Sequence, residues 1–425
     1  MALFASPASS TRDVKTVRDV GERDLNNRLV KPEIKKYFRT IVLVSIALSC
    51  LLCPTWLLLP ANNLQDDIFN EAPLIGKLAT IQRSFLGISF YQNHIYQRNF
   101  THESKLFGQV DFPRLRQGRL RGQFWSVYVE CPKISDDYSD ETYREIVHDT
   151  LQQIDIVYRL VKEYPSYLKH SYSAADIRST FYSGSQIASL MGIEGLHQIG
   201  NSASILRMYY SLGVRYATLT HTCHNAYADS EEPAKPLNRG LSEAGKDLVK
   251  EMNRLGMIVD LSHTSFETQR DVLDTSAAPV IFSHSNAYTL CNSTRNVPDD
   301  ILWSLKRNGG VIMVTFYPPF LDKKAANASL ASVVDHIQYI GETIGYDHVG
   351  LGSDFDGMSA GPSGVEDVTK YPDIVKELES RGVRRFHIRG IMGLNVIRVL
   401  EAVEEVAVYM HHVQPLEDDV KSFFE

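Results

Sequence analysis

Between residues 72 and 410 the chain alternates short apolar runs with stretches whose apolar residues recur at helical spacing. The runs Trp125–Val129, Ile187–Ile193, Val214–Thr220, Met257–Leu261, Val280–Phe282, Gly310–Phe316 and His348–Gly352 are followed or preceded by turn signals, and a shorter one lies at Leu74-Ile75. Each is too short for a helix and reads as a buried strand. Residues 140–163, 201–212, 242–255, 298–308, 331–344 and 393–409 carry the helical pattern, and Ser242 stands where a helix N-cap belongs. Strands alternating with helices argue for a parallel sheet, and eight such units predict an α/β fold of the (β/α)8 TIM-like barrel class over residues 72–425. An open doubly wound sheet is the competing architecture. Glu194, His221, His263, His284 and Asp354 each stand just after a strand run. A barrel gathers all the carboxyl ends of its strands at one mouth, where five such residues can meet, whereas an open sheet does not gather that many.

The amino-terminal part is organised differently. Residues 1–40 hold nine Lys or Arg against five Asp or Glu without apolar periodicity, the composition of a disordered tail. Ile41–Leu59 then runs nineteen residues without a charge, a length of about 28 Å as a helix and close to the hydrocarbon thickness of a bilayer. Lys35, Lys36 and Arg39 precede it; Asp66, Asp67 and Glu71 follow it in a linker over 60–71. This pattern predicts a transmembrane signal anchor, with the tail cytoplasmic and the body extracellular or lumenal. A cleavable signal peptide is the alternative.

Composition narrows the partners. With a net charge of −7 and no basic block interleaved with aromatics in the body of the chain, nucleic acid is not expected as a partner. Three N-x-S/T sequons, at Asn99, Asn292 and Asn327, are compatible with glycosylation of an external body. Cys50 and Cys53 fall in the apolar span. Cys131, Cys223 and Cys291 remain, which in an oxidising compartment suggests one pair and one leftover thiol.

The densest chemistry lies between Gly256 and His284. Two apolar runs end in Ser-His, at Ser262-His263 and Ser283-His284, with a segment of helical length between them. Parallel strands joined by a helix bring their carboxyl ends to the same side. The two imidazoles should therefore converge, and with Glu194 at an earlier strand end they form a nitrogen and carboxylate donor set suited to zinc. His221, in TLTHTCHNAYAD, is placed to donate to a developing oxyanion. Asp354, in GSDFDG, points to the mouth, and Asp356 reads as a turn-stabilising side chain. Arg295 follows the His284 strand, where a guanidinium can clamp a substrate carboxylate; a salt bridge to Asp299 or Asp300 is the structural alternative.

These segments resemble the zinc membrane dipeptidases, or renal-type dipeptidases, of the metal-dependent hydrolase barrels. The resemblance is carried by GQVDFPRLRQG at 108–118, GQFWSVYVECP at 122–132, GIEG at 192–195, TLTHTCHNAYAD at 218–229, GMIVDLSH at 256–263, PVIFSHSNAY at 279–288, RNVPDD at 295–300, GLGSDFDG at 350–357 and GLNVIRVLEAVE at 393–404. It covers roughly four fifths of the chain. It implies a dipeptide substrate, a zinc-activated water, two zinc ions per chain and a homodimer. Glu194 would bridge the two zincs, and His263 and His284 would hold one of them. His221 would contact the scissile carbonyl, Arg295 the terminal carboxylate of the substrate, and Asp354 would carry the proton. Cys131 and Cys223 would be a disulfide pair.

One part of the family pattern is missing. The other zinc is held in the family by a His-x-Asp pair at the end of the first strand, after a segment like Ala72-Pro73-Leu74-Ile75. No His-x-Asp occurs anywhere in the 425 residues, and no Asp or Glu lies between Glu71 and Glu103. His94 and His102 are the nearest imidazoles but fall beyond the expected strand end. Three accounts stay open: an active dipeptidase whose sequence is misreported over residues 76–90, a protein with a single zinc, and a non-catalytic barrel used for binding.

Overall fold

The apolar runs form nine strands in a computed structural model that describes residues 74–78 (backbone only), 101, 108–133 and 137–418. The strands are β1 (Leu74–Leu78), β2 (Leu120–Val127), β3 (Leu168–His170), β4 (Ile187–Glu194), β5 (Val214–Thr218), β6 (Ile258–Asp260), β7 (Ile281–Phe282), β8 (Val311–Val314) and β9 (Val349–Phe355). All their pairings are parallel, in the order β2-β1-β9-β8-β7-β6-β5-β4-β3. β2 also pairs with β4, through Gly122↔Ala188 to Val127↔Ile193, so the order turns back on itself. β3 pads the start of β4 at Leu168↔Ile187. The result is a curled parallel sheet wrapped by helices, consistent with a TIM-like barrel.

Burial explains why the strands read as unbroken apolar runs. β4 is buried at all of its positions, as expected for a strand with side chains facing both the sheet interior and the helices outside it. Several helices are held at their starts by serine. Ser139, Ser242 and Ser265 each accept from the backbone N–H three residues on, opening helices at Asp140–Glu163, Glu243–Leu255 and Phe266–Thr275. Gly256 ends the second of these with φ 85°, a left-handed conformation that favours glycine, and turns the chain into β6. Among the elements added to the sequence reading are β3, with the polar residues Lys169 and His170, and the helices Ala174–Ser183 and Tyr371–Ser380, the last burying Tyr371, Ile374, Val375 and Leu378 at helical spacing.

The expectation of a single-pass membrane protein is corrected. Among the described residues no helix is long and apolar enough to cross a membrane. The longest, Asp140–Glu163, is amphipathic: Tyr143, Ile146, Ile154, Val157 and Leu160 are buried while its charged residues face water. The proposed span Ile41–Leu59, the tail before it and Asn99 lie outside the described residues. Asn292 and Asn327 are exposed.

A disulfide joins Cys131, after β2, to Cys223, after β5, across 92 residues of sequence, and Cys291 is a buried free thiol. The bridge ties two loops that flank the same end of the sheet. Replacing both cysteines by serine should lower unfolding stability by about 2–4 kcal/mol, read from denaturant midpoints; an unchanged midpoint would mean the bridge does not constrain the unfolded chain.

Candidate functional site

Strand register sets the site. Glu194 pairs in register with Thr218, and Thr218 with Asp260, so the ends of β4, β5 and β6 are level. Asp260 then pairs with Ile281 of β7. Glu194 is the last residue of β4, His221 and His263 stand three residues beyond β5 and β6, His284 two beyond β7, and Asp354 lies in β9. The predicted residues therefore meet at one end of the sheet.

The two Ser-His imidazoles converge. His263 Nε2 and His284 Nε2 are 3.0 Å apart, and Glu194 Oε1 lies 3.1 Å from His284 Nε2 and 3.6 Å from His263 Nε2. The other Glu194 oxygen accepts from Ser126 Oγ at 2.7 Å. Zinc bonded at about 2.0–2.2 Å to such atoms would set them roughly 3.3 Å apart in a tetrahedron, so spacing and donor type fit this ion. Two further groups come close: ligand atoms of Glu194, His221 and His263 lie within 4.8 Å of one another, as do those of Glu194, His284 and Asp354. Glu194 is 4% exposed.

His221 is held by Tyr128, whose hydroxyl lies 3.4 Å from His221 Nδ1, and its ring packs on His263 at 4.3 Å between centroids. Burial pushes its pKa down to about 3, and the opposing pull of Glu194 does not offset this. The imidazole is therefore neutral at physiological pH, able to donate from one nitrogen. Burial, reinforced by Arg295, also holds His263 well below the ordinary histidine value, as a metal-binding imidazole requires. His263 and Asp354 adopt φ values of 65° and 63°, and Asp356 one of 73°. Left-handed conformations at three non-glycine residues around one site indicate side chains aimed by their loops at some cost. Asp356, expected to stabilise its own turn, is instead bonded across the fold: its backbone N–H donates to Gln109 Oε1 and its Oδ1 accepts from Gln109 N.

Arg295 is buried and turned inward. Its Nη2 donates to His284 O at 3.2 Å, its Nη1 faces Ser285 Oγ at 3.4 Å, and Glu231 Oε1 lies 3.7 Å from Nε. The alternative partners are engaged elsewhere, Asp300 with Arg270 and Asp299 with Tyr339. Glu194, His221, His263, Arg295 and Asp354 line a cavity of about 260 Å³, together with Tyr128, Glu130, Tyr317, Phe320 and Gly357. Tyr128 directly follows β2 and Tyr317 lies three residues beyond β8, so the strand-end rule would have found both. Glu231 sits in a long loop with no such signal. His224 is structural, its Nε2 facing Lys235 O at 2.9 Å and its Nδ1 accepting from Ser230 N. His94 and His102 lie outside the described residues.

The chain is similar to known proteins over most of its length. The family model for membrane dipeptidase, peptidase family M19, matches residues 69–414. The chain is 59% identical over 339 residues to Dipeptidase aclJ of Aspergillus oryzae, covering 79% of this chain and 80% of that one. It is 48% identical over 378 residues to Dipeptidase tcpJ of Claviceps purpurea, covering 85% and 89%. Among solved structures, a metallopeptidase of Rhodobacter sphaeroides liganded with a phosphinate mimic of the dipeptide L-Ala-D-Ala superposes with a TM-score of 0.69 at 25% identity, covering 78% of this chain and 99% of that one.

Proposed function

The chain belongs to the membrane dipeptidase family, peptidase family M19, and from that premise we propose that it cleaves dipeptides at the mouth of a (β/α)8 barrel with a zinc ion held by Glu194, His263 and His284. Its family and its relatives make it a hydrolytic metallodipeptidase. The observation that carries the finer reading is the convergence of two imidazole nitrogens and one carboxylate oxygen beside a buried guanidinium. When bound, zinc would supply Lewis acidity, acidifying a water and polarising the scissile carbonyl.

The remaining steps belong to side chains. Arg295 receives the terminal carboxylate of the substrate; its anchoring to His284 O and Ser285 ties that position to a metal-binding loop. His221, neutral and braced by Tyr128, donates to the oxygen of the tetrahedral intermediate. Asp354 takes the proton of the attacking water and returns it to the leaving amine. The cavity of about 260 Å³ is of a size for a small substrate such as a dipeptide. The phosphinate-bound Rhodobacter structure, a dipeptide mimic on the same fold, supports this choice of substrate.

The sequence has no His-x-Asp pair for a second zinc. For the chain as it stands we therefore propose a single zinc, with the Ser126 hydroxyl on the Glu194 oxygen that would face a second ion. The family and relatives favour catalysis over a barrel kept only for binding.

Glu194→Gln should lower kcat/KM for dipeptide hydrolysis by on the order of 10³-fold or more; unchanged turnover would refute this metal site. Arg295→Lys should raise KM for a dipeptide by about 10- to 100-fold with a smaller change in kcat, because the planar fork is lost. A dipeptide amide, lacking the carboxylate, should respond little to the same change. Equal losses for acid and amide would show that Arg295 does not read the carboxylate.

A further inference from the structure

We infer that Asp260 and Ser283 are positioning residues of the metal centre, fixing His284 with its proton on Nδ1 and its Nε2 lone pair toward the ion. This rests on the zinc reading above. Asp260, the last residue of β6, is 0% exposed. Its Oδ1 accepts from the backbone N–H of Ser262 at 3.1 Å and of Ser283 at 2.8 Å. Its Oδ2 accepts from Thr218 Oγ1 at 2.6 Å and Ser283 Oγ at 2.6 Å. One carboxylate thus ties the end of β5 to the residues directly preceding both His263 and His284.

The hydrogen count sets the tautomer. Asp260 gathers two backbone N–H groups on one oxygen and the Ser283 hydroxyl, as donor, on the other, so that hydroxyl spends its single hydrogen on Asp260. Ser283 Oγ also lies 2.7 Å from His284 Nδ1, and there the hydroxyl can only accept. The imidazole therefore donates from Nδ1, and its Nε2 is the nitrogen turned toward Glu194 and His263, where a metal ligand offers its lone pair. A histidine ligand whose second nitrogen donates toward a carboxylate is oriented and made more basic; here a serine hydroxyl relays the effect. The backbone of Ser283 has little freedom to move away, because Gly352 of β9 approaches so closely that a side chain there would run into Ser283 O. Ser262 adds a further brace, its Oγ accepting from His284 N at 3.0 Å.

His263 is arranged differently. Its Nδ1 is buried without a hydrogen-bond partner among the described residues, and its Nε2 lies 3.0 Å from that of His284.

The test uses the full-length protein labelled with 15N-histidine, together with the Ser283→Ala and Ser283→Thr variants. Long-range 15N–1H spectra of the metal-free native protein should show His284 protonated at Nδ1, and an Nε2-protonated His284 would overturn the inference. Zinc affinity, read by competition with a chromophoric chelator, should fall about 10- to 100-fold in Ser283→Ala. Ser283→Thr, which keeps the hydroxyl, should restore it. Native-like affinity in Ser283→Ala would contradict the relay. A native protein that binds no zinc would instead remove the proposed function, while the tautomer spectrum still decides this inference.

Discussion

A carboxylate taken out of water needs a positive partner close at hand, and Glu194 places one where it is 4% exposed. Ser126 donates to one of its oxygens at 2.7 Å, and the other faces imidazoles. Two of the three around it, His221 and His263, are held neutral by their own burial. The guanidinium of Arg295 is directed at Glu231, His284 O and Ser285. Two imidazole nitrogens, of His263 and His284, and one carboxylate oxygen within 3.0–3.6 Å of each other are the donors a zinc ion prefers. The same burial that makes the cluster costly as a set of bare side chains makes it selective as a set of ligands.

The cluster depends on parallel register. Glu194, Thr218 and Asp260 are brought level by backbone pairing alone. The short loops beyond β5, β6 and β7 then deliver His221, His263 and His284 inward. Asp260 stands at the centre of that arrangement without touching the cavity, bonding to β5 and to both ligand loops. The disulfide from Cys131 to Cys223 holds the loops that carry Tyr128 and His221 on the same side. Fold and chemistry are thus joined at one end of the sheet, and the other end can be padded by β3 without consequence for the site.

Much of this was legible in the sequence, for a physical reason. Strands buried on both faces appear as continuous apolar runs, so their ends show, and a polar residue at such an end marks the mouth. Glu194, His263 and His284 were found that way, and helix Asp140–Glu163 has the bounds its periodicity indicates. β3 was missed because it is three residues long and two of them are polar. The Asp260–Ser283 relay was missed because Asp260 lies inside a strand run, where a lone acid gives no sign of its partners. From sequence Arg295 could be read as a clamp at the cavity or as a salt-bridge partner of Asp299 or Asp300, which stand close by in the chain; packing turns it inward, while Asp299 and Asp300 bond elsewhere. The membrane assignment rested on the uncharged run Ile41–Leu59 and the charges flanking it, and no described helix supports it.

The proposed zinc site of Glu194, His263 and His284 is open to metal analysis of the purified full-length protein, desalted and compared with a His263→Ala/His284→Ala double variant. One zinc per native chain and none in the double variant is the expected result. A native chain without zinc, or a double variant that keeps it, would show that these residues do not hold the ion.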